Sequence, residues 1–138
     1  MRQIIFDTET TGLFHDKGDR IIEVGAVEVV NFMPTGETFQ SYIDPGRSVS
    51  EETIQITGIT DEMLVGQPRF EDPAVVDKLL DFIGDGEIVA HNAKFDEGFL
   101  NMELQKCGRR PIPHNRWIDS AAFARQKFPG SPVSLDSL

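Results

Sequence analysis

Two carboxylates stand close together near the start of the chain, in the run Asp-Thr-Glu-Thr-Thr-Gly at residues 7–12. The apolar residues 3–6 that precede them predict a β-strand. Because alternate side chains of a strand share a face, we expect Asp7 and Glu9 to converge on one point. Such carboxylates repel each other unless a cation lies between them, and oxygen ligands suit Mg²⁺ or Mn²⁺. Alternatively, the run simply ends a strand in a turn.

A third carboxylate follows a second apolar segment. Asn92 comes after a predicted strand at residues 87–90, and Asp96 lies one helical turn further along. If Phe95 and Phe99 hold this helix against the sheet, Asp96 points back over the end of the strand. The alternative is a first-turn acid that complements the helix dipole. The two acidic segments together favour a site built from three carboxylates.

The elements that must position these acids are strands and helices in alternation. The first three strands are expected to form an antiparallel meander, with a turn at Pro34-Thr35-Gly36 between the second and third. Predicted strands cover residues 3–6, 21–30, 37–43, 87–90 and about 117–119. Predicted helices run from Asp72 to Gly84, from Asn92 to Gly108 and from about Ser120 to Lys127, and a last one begins at Ser134. This order predicts an α/β fold.

Length and composition indicate one domain that spans residues 1–138. The 138 residues, of which 39% are apolar, can build one hydrophobic core but not two. No apolar run approaches the roughly 18 residues of a membrane span, so we expect no membrane association and a cytoplasmic protein. Cys107 is the only cysteine, which excludes an internal disulfide and fits a reducing compartment.

The net charge of −10 is the opposite of what a protein that grips nucleic acid by its phosphates alone would carry. Affinity for nucleic acid would have to come from bound divalent cations, which turn acidic side chains into a phosphate site, or from a partner that delivers the substrate. We therefore expect weak intrinsic binding.

Several segments resemble one known family. Residues 7–12, Ile-Thr-Gly-Ile-Thr at 56–60 and His-Asn-Ala-Lys-Phe-Asp at 91–96 are similar, in this order, to the first two motifs and the intervening segment of the DEDD superfamily of 3′-to-5′ exonucleases. Phe-Pro-Gly at 128–130 and Ser-Leu-Asp at 134–136 resemble the branch of proofreading epsilon subunits of bacterial DNA polymerase III. The resemblance spans essentially the whole chain.

The resemblance implies a ribonuclease H-like α/β fold, with a mixed sheet of an antiparallel meander plus parallel strands flanked by helices. It implies removal of nucleotides from single-stranded or mispaired DNA 3′ ends, as in replication proofreading, with a replicative DNA polymerase catalytic subunit as partner. Asp7, Glu9 and Asp96 would be catalytic and would be three of the four acids that hold two divalent cations, Mg²⁺ or Mn²⁺.

The same resemblance implies a set of substrate contacts. Asp7, Thr8, Glu9, Glu52 and Thr57 occupy places where the family contacts the terminal nucleotide. Without the resemblance, Glu52 is typical of a solvent-facing helix acid, and Thr57 is typical of a turn residue ahead of a glycine.

One family feature has no equivalent within the 138 residues. The third motif, a His followed about five residues later by an Asp, is expected beyond Leu138, and Ser134 looks like the start of a helix that stops after one turn. We therefore expect a truncated version of a longer protein, inactive until its C-terminal part is restored. His15, His91 and His114 are not expected to replace the missing base.

Two other functions fit the same residues. An enzyme with these motifs could trim RNA 3′ ends instead, although nothing in the sequence reads a 2′-hydroxyl. A non-catalytic subunit could keep the fold as a nucleic-acid or polymerase-binding module. Three acids at these positions disfavour the second alternative, because a scaffold has no need to gather them.

Overall fold

The computed structural model describes residues 1–120, which form one mixed sheet with helices packed against it. The strands are β1 (Arg2–Thr10), β2 (Ile21–Val30), β3 (Met33–Tyr42), β4 (Glu87–Ala90) and β5 (Trp117–Asp119). The α-helices are α1 (Glu51–Thr57), α2 (Asp61–Leu64), α3 (Val76–Ile83) and α4 (Ala93–Lys106). Two short 3₁₀ turns cover His15–Lys17 and His114–Arg116.

The sheet has the strand order β3-β2-β1-β4-β5. β1, β2 and β3 pair antiparallel, whereas β4 pairs parallel with β1, and β5 pairs parallel with β4. This arrangement confirms the predicted mixed sheet of a meander plus parallel strands. β1 therefore lies in the middle of the sheet. Val89 near the end of β4 pairs with Ile5, so the half of β1 from Asp7 to Thr10 extends beyond the end of β4.

The hydrophobic core lies between the sheet and helices α3 and α4. Ile4 and Phe6 of β1 are fully buried in the same cluster as Phe99, Leu100 and Leu104 of α4. Period-2 burial along β1 and helical spacing along α4 produce this packing from the sequence alone. The core therefore fixes α4 over β1, which is the strand that carries the first two acids.

An ion pair between Arg20, just before β2, and the buried Glu103 of α4 connects these two elements. The guanidinium of Arg20 donates to both carboxylate oxygens of Glu103, with Nη2 to Oε1 at 2.6 Å, and the backbone N–H of Ile21 donates to Oε2 at 3.0 Å. Glu103 is only 1% exposed. A buried carboxylate is stable only when its oxygens are satisfied in this way, so the pair fixes the position of α4 along the sheet.

The predicted turn at residues 34–36 is wrong. The chain reverses at Asn31 and Phe32, which both have left-handed backbone angles (φ 50° and 67°), and β3 begins at Met33. The Pro-Thr-Gly signal marks an irregularity inside β3, where the pairing register with β2 shifts between Val27 and Val29. Since β3 is an edge strand, it tolerates the proline.

Other boundaries differ by a few residues. β1 continues to Thr10 rather than ending before the acids, so the acidic run is part of the strand. The regular part of α3 begins at Val76, after a turn in which Asp72 Oδ1 accepts the N–H of Ala74 at 2.9 Å. Helices α1 and α2 are too short to be predicted from periodicity.

The predicted helix that continues from Ser120 to Lys127, the helix start at Ser134 and the family segments at 128–130 and 134–136 fall on residues 121–138, outside the described residues. Within residues 1–120, no helix has the length and apolar character needed to cross a membrane.

Candidate active site

The C-terminal half of β1 presents the first two acids. Asp7 lies opposite Gly25 of β2 and Glu9 lies opposite Glu23. Asp7 is exposed and Glu9 is half-buried, whereas Thr8 between them is buried. As the alternation of a strand requires, the two carboxylates leave the sheet on one face and Thr8 points to the other.

The first turn of α4 supplies the third acid. The N–H of Asp96 donates to the carbonyl of Asn92 at 3.1 Å, which shows that Asp96 belongs to the first turn of the helix. The rings of Phe95 and Phe99 pack with centroids 4.8 Å apart. Asp96 is only 4% exposed, and the hydroxyl of Thr8 donates to its Oδ1 at 2.6 Å. The structure thus brings Asp96 to β1, as the sequence predicts.

Burial raises the pKa of Asp96 to about 7. Hydrogen bonding by Thr8 opposes this effect, and the nearby charges of Asp7 and Glu9 add to it. Removal of a carboxylate from water disfavours its charged form, and further negative charges disfavour it again. The ionised form of Asp96 is therefore strained in the metal-free protein.

Partial desolvation by the surrounding protein also raises the pKa values of the two acids on β1, although Asp7 remains exposed on the surface. The charge of Glu23 raises the pKa of both Asp7 and Glu9, and the charge of Asp7 raises that of Glu9, while His91 acts in the opposite direction on Asp7. Glu23 was missed by the sequence reasoning. Its signal was available in principle, because an antiparallel β1–β2 pair places a residue of β2 directly opposite Glu9.

A groove of about 410 Å³ opens beside the acids. Thr8, Glu9, Glu52, Thr57 and Phe95 are among the residues that line it, whereas Asp7 and Asp96 are not. The structure therefore gathers four of the five predicted substrate contacts around one groove, with Asp7 adjacent on β1. Helix α1, which carries Glu52 and Thr57, forms one wall.

The hydroxyl of Thr57 is already used within α1 and the turn that follows. It donates to the carbonyl of Thr53 at 2.9 Å and accepts the N–H of Ile59 at 3.1 Å. Only its remaining lone pair and its methyl group are left to face the groove. Glu52, in contrast, is an exposed carboxylate.

The opposite wall is a loop that is organised by one carboxylate. Asp19 accepts the hydroxyl of Thr11 at 2.9 Å and the backbone N–H of Phe14 at 3.1 Å. A Cβ at Gly12 would lie 2.5 Å from Asp19 Oδ2, so a larger residue at this position would displace the Asp19 carboxylate. Leu13, which is 71% exposed, and Phe14 thereby project at the groove. The sequence reasoning missed this apolar wall, for which the adjacent Leu and Phe in a polar loop were the signal.

None of the three histidines, all of which lie within the described residues, lines the groove. His15 packs edge-on against Phe99, with ring centroids 5.5 Å apart, and His114 Nδ1 lies 2.8 Å from Glu97 Oε1. His91 Nδ1 is buried without a hydrogen-bond partner in the described part of the chain.

The donor chemistry of the site fits divalent cations. The charges of Asp7 and Glu9 on β1 lie close enough to Asp96 on α4 to raise its pKa, and a cation would neutralise this repulsion. Within residues 1–120, however, no group of three or more His, Cys, Asp and Glu side chains is arranged so that it could hold a metal ion. The described residues thus supply suitable ligands without a closed coordination shell.

Comparison with known proteins gives consistent matches. The exonuclease family model (RNase T) matches residues 4–138. The DNA polymerase III subunit epsilon of Salmonella typhimurium is 46% identical over 145 residues, which cover 99% of this chain and 58% of that protein. The chain thus spans less than two thirds of the length of this relative.

Solved structures share the fold. Exonuclease X in complex with 5′ overhanging duplex DNA superposes with a TM-score of 0.68 at 26% identity, covering 96% of this chain and 68% of that one. The nuclease domain of 3′hExo, a DEDDh family member bound to rAMP, gives a TM-score of 0.75 at 24% identity over 95% of this chain and 72% of that one.

Proposed function

Because the chain belongs to the RNase T exonuclease family, we propose that it carries the catalytic site of a metal-dependent 3′-to-5′ exonuclease that acts on single-stranded or mispaired DNA 3′ ends. The observation that supports this most is the meeting of Asp7, Glu9 and Asp96 beside an open groove. The groove volume of about 410 Å³ falls in the range of small-molecule sites. A terminal nucleotide is the ligand that these features suit.

Asp7, Glu9 and Asp96 are the proposed ligands of two divalent cations, Mg²⁺ or Mn²⁺. Such cations, when bound, supply a water of lowered pKa and neutralise charge on the phosphate and the leaving oxygen. The protein itself contributes placement. β1 fixes Asp7 and Glu9 on one face, and the packing of α4 on the core brings Asp96 to the same strand. With a net charge of −10, the chain needs such neutralisation before a phosphate can approach.

We propose that the groove is the binding site of the terminal nucleoside. Leu13, Phe14 and Phe95 offer apolar and aromatic surface on which a base can stack, a contact that tolerates any base. Glu52 offers an exposed carboxylate that can accept a sugar hydroxyl. Thr57 would contribute mainly through its methyl group, because its hydroxyl is engaged within the chain.

The identity of the relatives supports a role in replication. They are subunits of DNA polymerase III, so we propose that this chain acts in proofreading, in the cytoplasm, beside a replicative polymerase catalytic subunit. A partner of this kind would deliver the 3′ end that the acidic chain attracts poorly by itself. We further propose that residues 1–138 belong to a single exonuclease domain.

The test follows a 5′-labelled single-stranded DNA on a sequencing gel with Mn²⁺, comparing the 138-residue chain with the longest product of its gene. A ladder that shortens by one nucleotide at a time from the 3′ end is the expected result for the longer product. Asp7→Ala should abolish the ladder, and Asp85→Asn, an exposed acid between α3 and β4, should preserve it. An RNA of the same sequence is run in parallel.

The outcomes separate the candidate functions. If the RNA is degraded faster than the DNA, the proposed substrate becomes the 3′ end of RNA instead of DNA. If neither form of the protein produces a ladder on either nucleic acid, the proposed exonuclease activity is refuted. A non-catalytic binding module is then the remaining candidate function.

A further inference from the structure

Thr8 is placed to act on a carboxylate that lies far away in sequence. It stands between Asp7 and Glu9 on β1, but its side chain points to the opposite face and is buried. Its hydroxyl donates to Asp96 Oδ1 at 2.6 Å, across 88 residues of sequence. Thr8 therefore links the strand that carries two of the acids to the helix that carries the third.

The link joins two groups that have little freedom. Thr8 is 7% exposed and Asp96 is 4% exposed, so water does not compete for the hydrogen bond. Threonine is β-branched and sits in a central strand, which restricts its side chain to few rotamers. A hydrogen bond from a hydroxyl to a carboxylate is also among the stronger kinds. A rigid donor thus holds one oxygen of a buried acid.

The Thr8 hydroxyl is the side-chain donor that holds the Asp96 carboxylate at β1. The backbone N–H of Thr8 also acts on the Asp96 carboxylate, but no other side chain among residues 1–120 forms a hydrogen bond or an ion pair with it. Since the charges of Asp7 and Glu9 repel the ionised Asp96, the carboxylate would be driven away from them. The Thr8 hydroxyl opposes this movement.

We propose that Thr8 is the positioning residue of the third carboxylate, because its hydroxyl holds one oxygen of Asp96 at β1, between the positions of Asp7 and Glu9. This inference rests on the proposed function. It gives Thr8 a role through Asp96 that is separate from the contact with the terminal nucleotide implied by family resemblance. Groups that orient metal ligands typically change metal affinity by about 10–100-fold when they are removed.

The direct test is Mn²⁺ binding, measured by electron paramagnetic resonance on the longest product of the gene. Thr8→Val keeps the shape and removes the hydroxyl, and we expect it to weaken Mn²⁺ binding by about 10–100-fold. Thr8→Ser restores the hydroxyl and should bind within about threefold of the wild type. Thr8→Ala removes the hydroxyl without adding volume and serves if the valine variant does not fold.

Thr35→Val is the matched control. Thr35 also donates its hydroxyl to a carboxylate, Glu28 Oε1 at 2.8 Å, but on the β2–β3 hairpin and outside the groove. Its Mn²⁺ affinity should equal that of the wild type. A parallel assay of DNA hydrolysis should show that Thr8→Val loses rate at low Mn²⁺ and recovers at saturating Mn²⁺.

Undiminished Mn²⁺ binding by Thr8→Val would overturn the role of Thr8 and leave the proposed function standing. Equal weakening in Thr8→Ser and Thr8→Val would overturn it as well, since the hydroxyl would then not be the cause. A wild-type protein that binds no Mn²⁺ would refute the metal site of the proposed function itself, and the role of Thr8 with it.

Discussion

Replacement of Asp96 by asparagine should stabilise the metal-free protein at alkaline pH. Burial raises the pKa of Asp96 to about 7, so folding at pH 8 forces a buried carboxyl to ionise against its surroundings. Asparagine has the same shape, carries no charge and keeps an oxygen that can accept the hydroxyl of Thr8, which lies 2.6 Å away. The substitution therefore removes the strain and retains the hydrogen bond.

The magnitude follows from the two pKa values. The difference between the ordinary 3.8 and about 7 corresponds to roughly 4 kcal/mol of unfolding free energy. The pKa of Asp96 is higher in the folded state, so between about pH 4 and pH 7 the folded state keeps a proton that the unfolded state has lost. The wild type therefore loses stability as the pH rises through this range. Below pH 4 both states are protonated, and wild type and Asp96→Asn should be equally stable.

Urea unfolding in EDTA at pH 4 and pH 8 measures this difference. We expect Asp96→Asn to be more stable than the wild type by up to about 4 kcal/mol at pH 8 and by little at pH 4. Asp85→Asn removes the same unit of charge from an exposed position and corrects for the net charge of −10. Equal differences at both pH values, or a less stable Asp96→Asn at pH 8, would show that Asp96 is not strained.

Three further substitutions test other parts of the structure. Asp7→Ala should abolish DNA hydrolysis and leave the melting temperature in chelator unchanged or higher, because one of several mutually repelling carboxylates is gone; a lower melting temperature would contradict this. Glu23→Gln should stabilise the metal-free fold by roughly 0.2–1 kcal/mol in urea unfolding at low salt, since it removes a like charge opposite Glu9, and a stability gain that persists at high salt would argue against this cause. Glu103→Gln should destabilise the fold by about 3 kcal/mol in the same assay, because it leaves Arg20 without its buried partner; a loss below about 1 kcal/mol would refute the importance of this pair.

The parts of the fold that the sequence predicts are those in which local pattern and burial agree. β2 is long and rich in β-branched residues, and its predicted bounds, residues 21–30, are those observed. β4 at residues 87–90 also matches. The meeting of Asp96 with β1 could be predicted because β4 is parallel to β1 and its Val89 pairs with Ile5, which places the start of α4 beside the acidic half of β1. The inference also depended on Phe95 and Phe99, which were expected to hold this helix against the sheet.

The errors occur where tertiary contacts overrule local signals. Pro34 and Gly36 are strong turn residues, but the tighter reversal at Asn31 and Phe32 pairs more of β2 with β3. Glu23 enters the site only through its register with Glu9. The groove could not be predicted because it lies between α1 and a loop whose shape depends on the hydrogen bonds of Thr11 and Phe14 to Asp19.

The strain in the site also bears on why the acids are built into a rigid part of the molecule. A mobile loop could relieve repulsion between carboxylates by moving them apart, and it would then lose the shape that a cation needs. β1 is the central strand, and α4 is fixed by the core and by the Arg20–Glu103 pair. Neither element can therefore move easily to separate the carboxylates. The fold therefore retains repulsion among Asp7, Glu9 and Asp96 that only protonation or a cation can relieve. Stability in the absence of metal is lower for this reason, and the same repulsion favours the binding of cations.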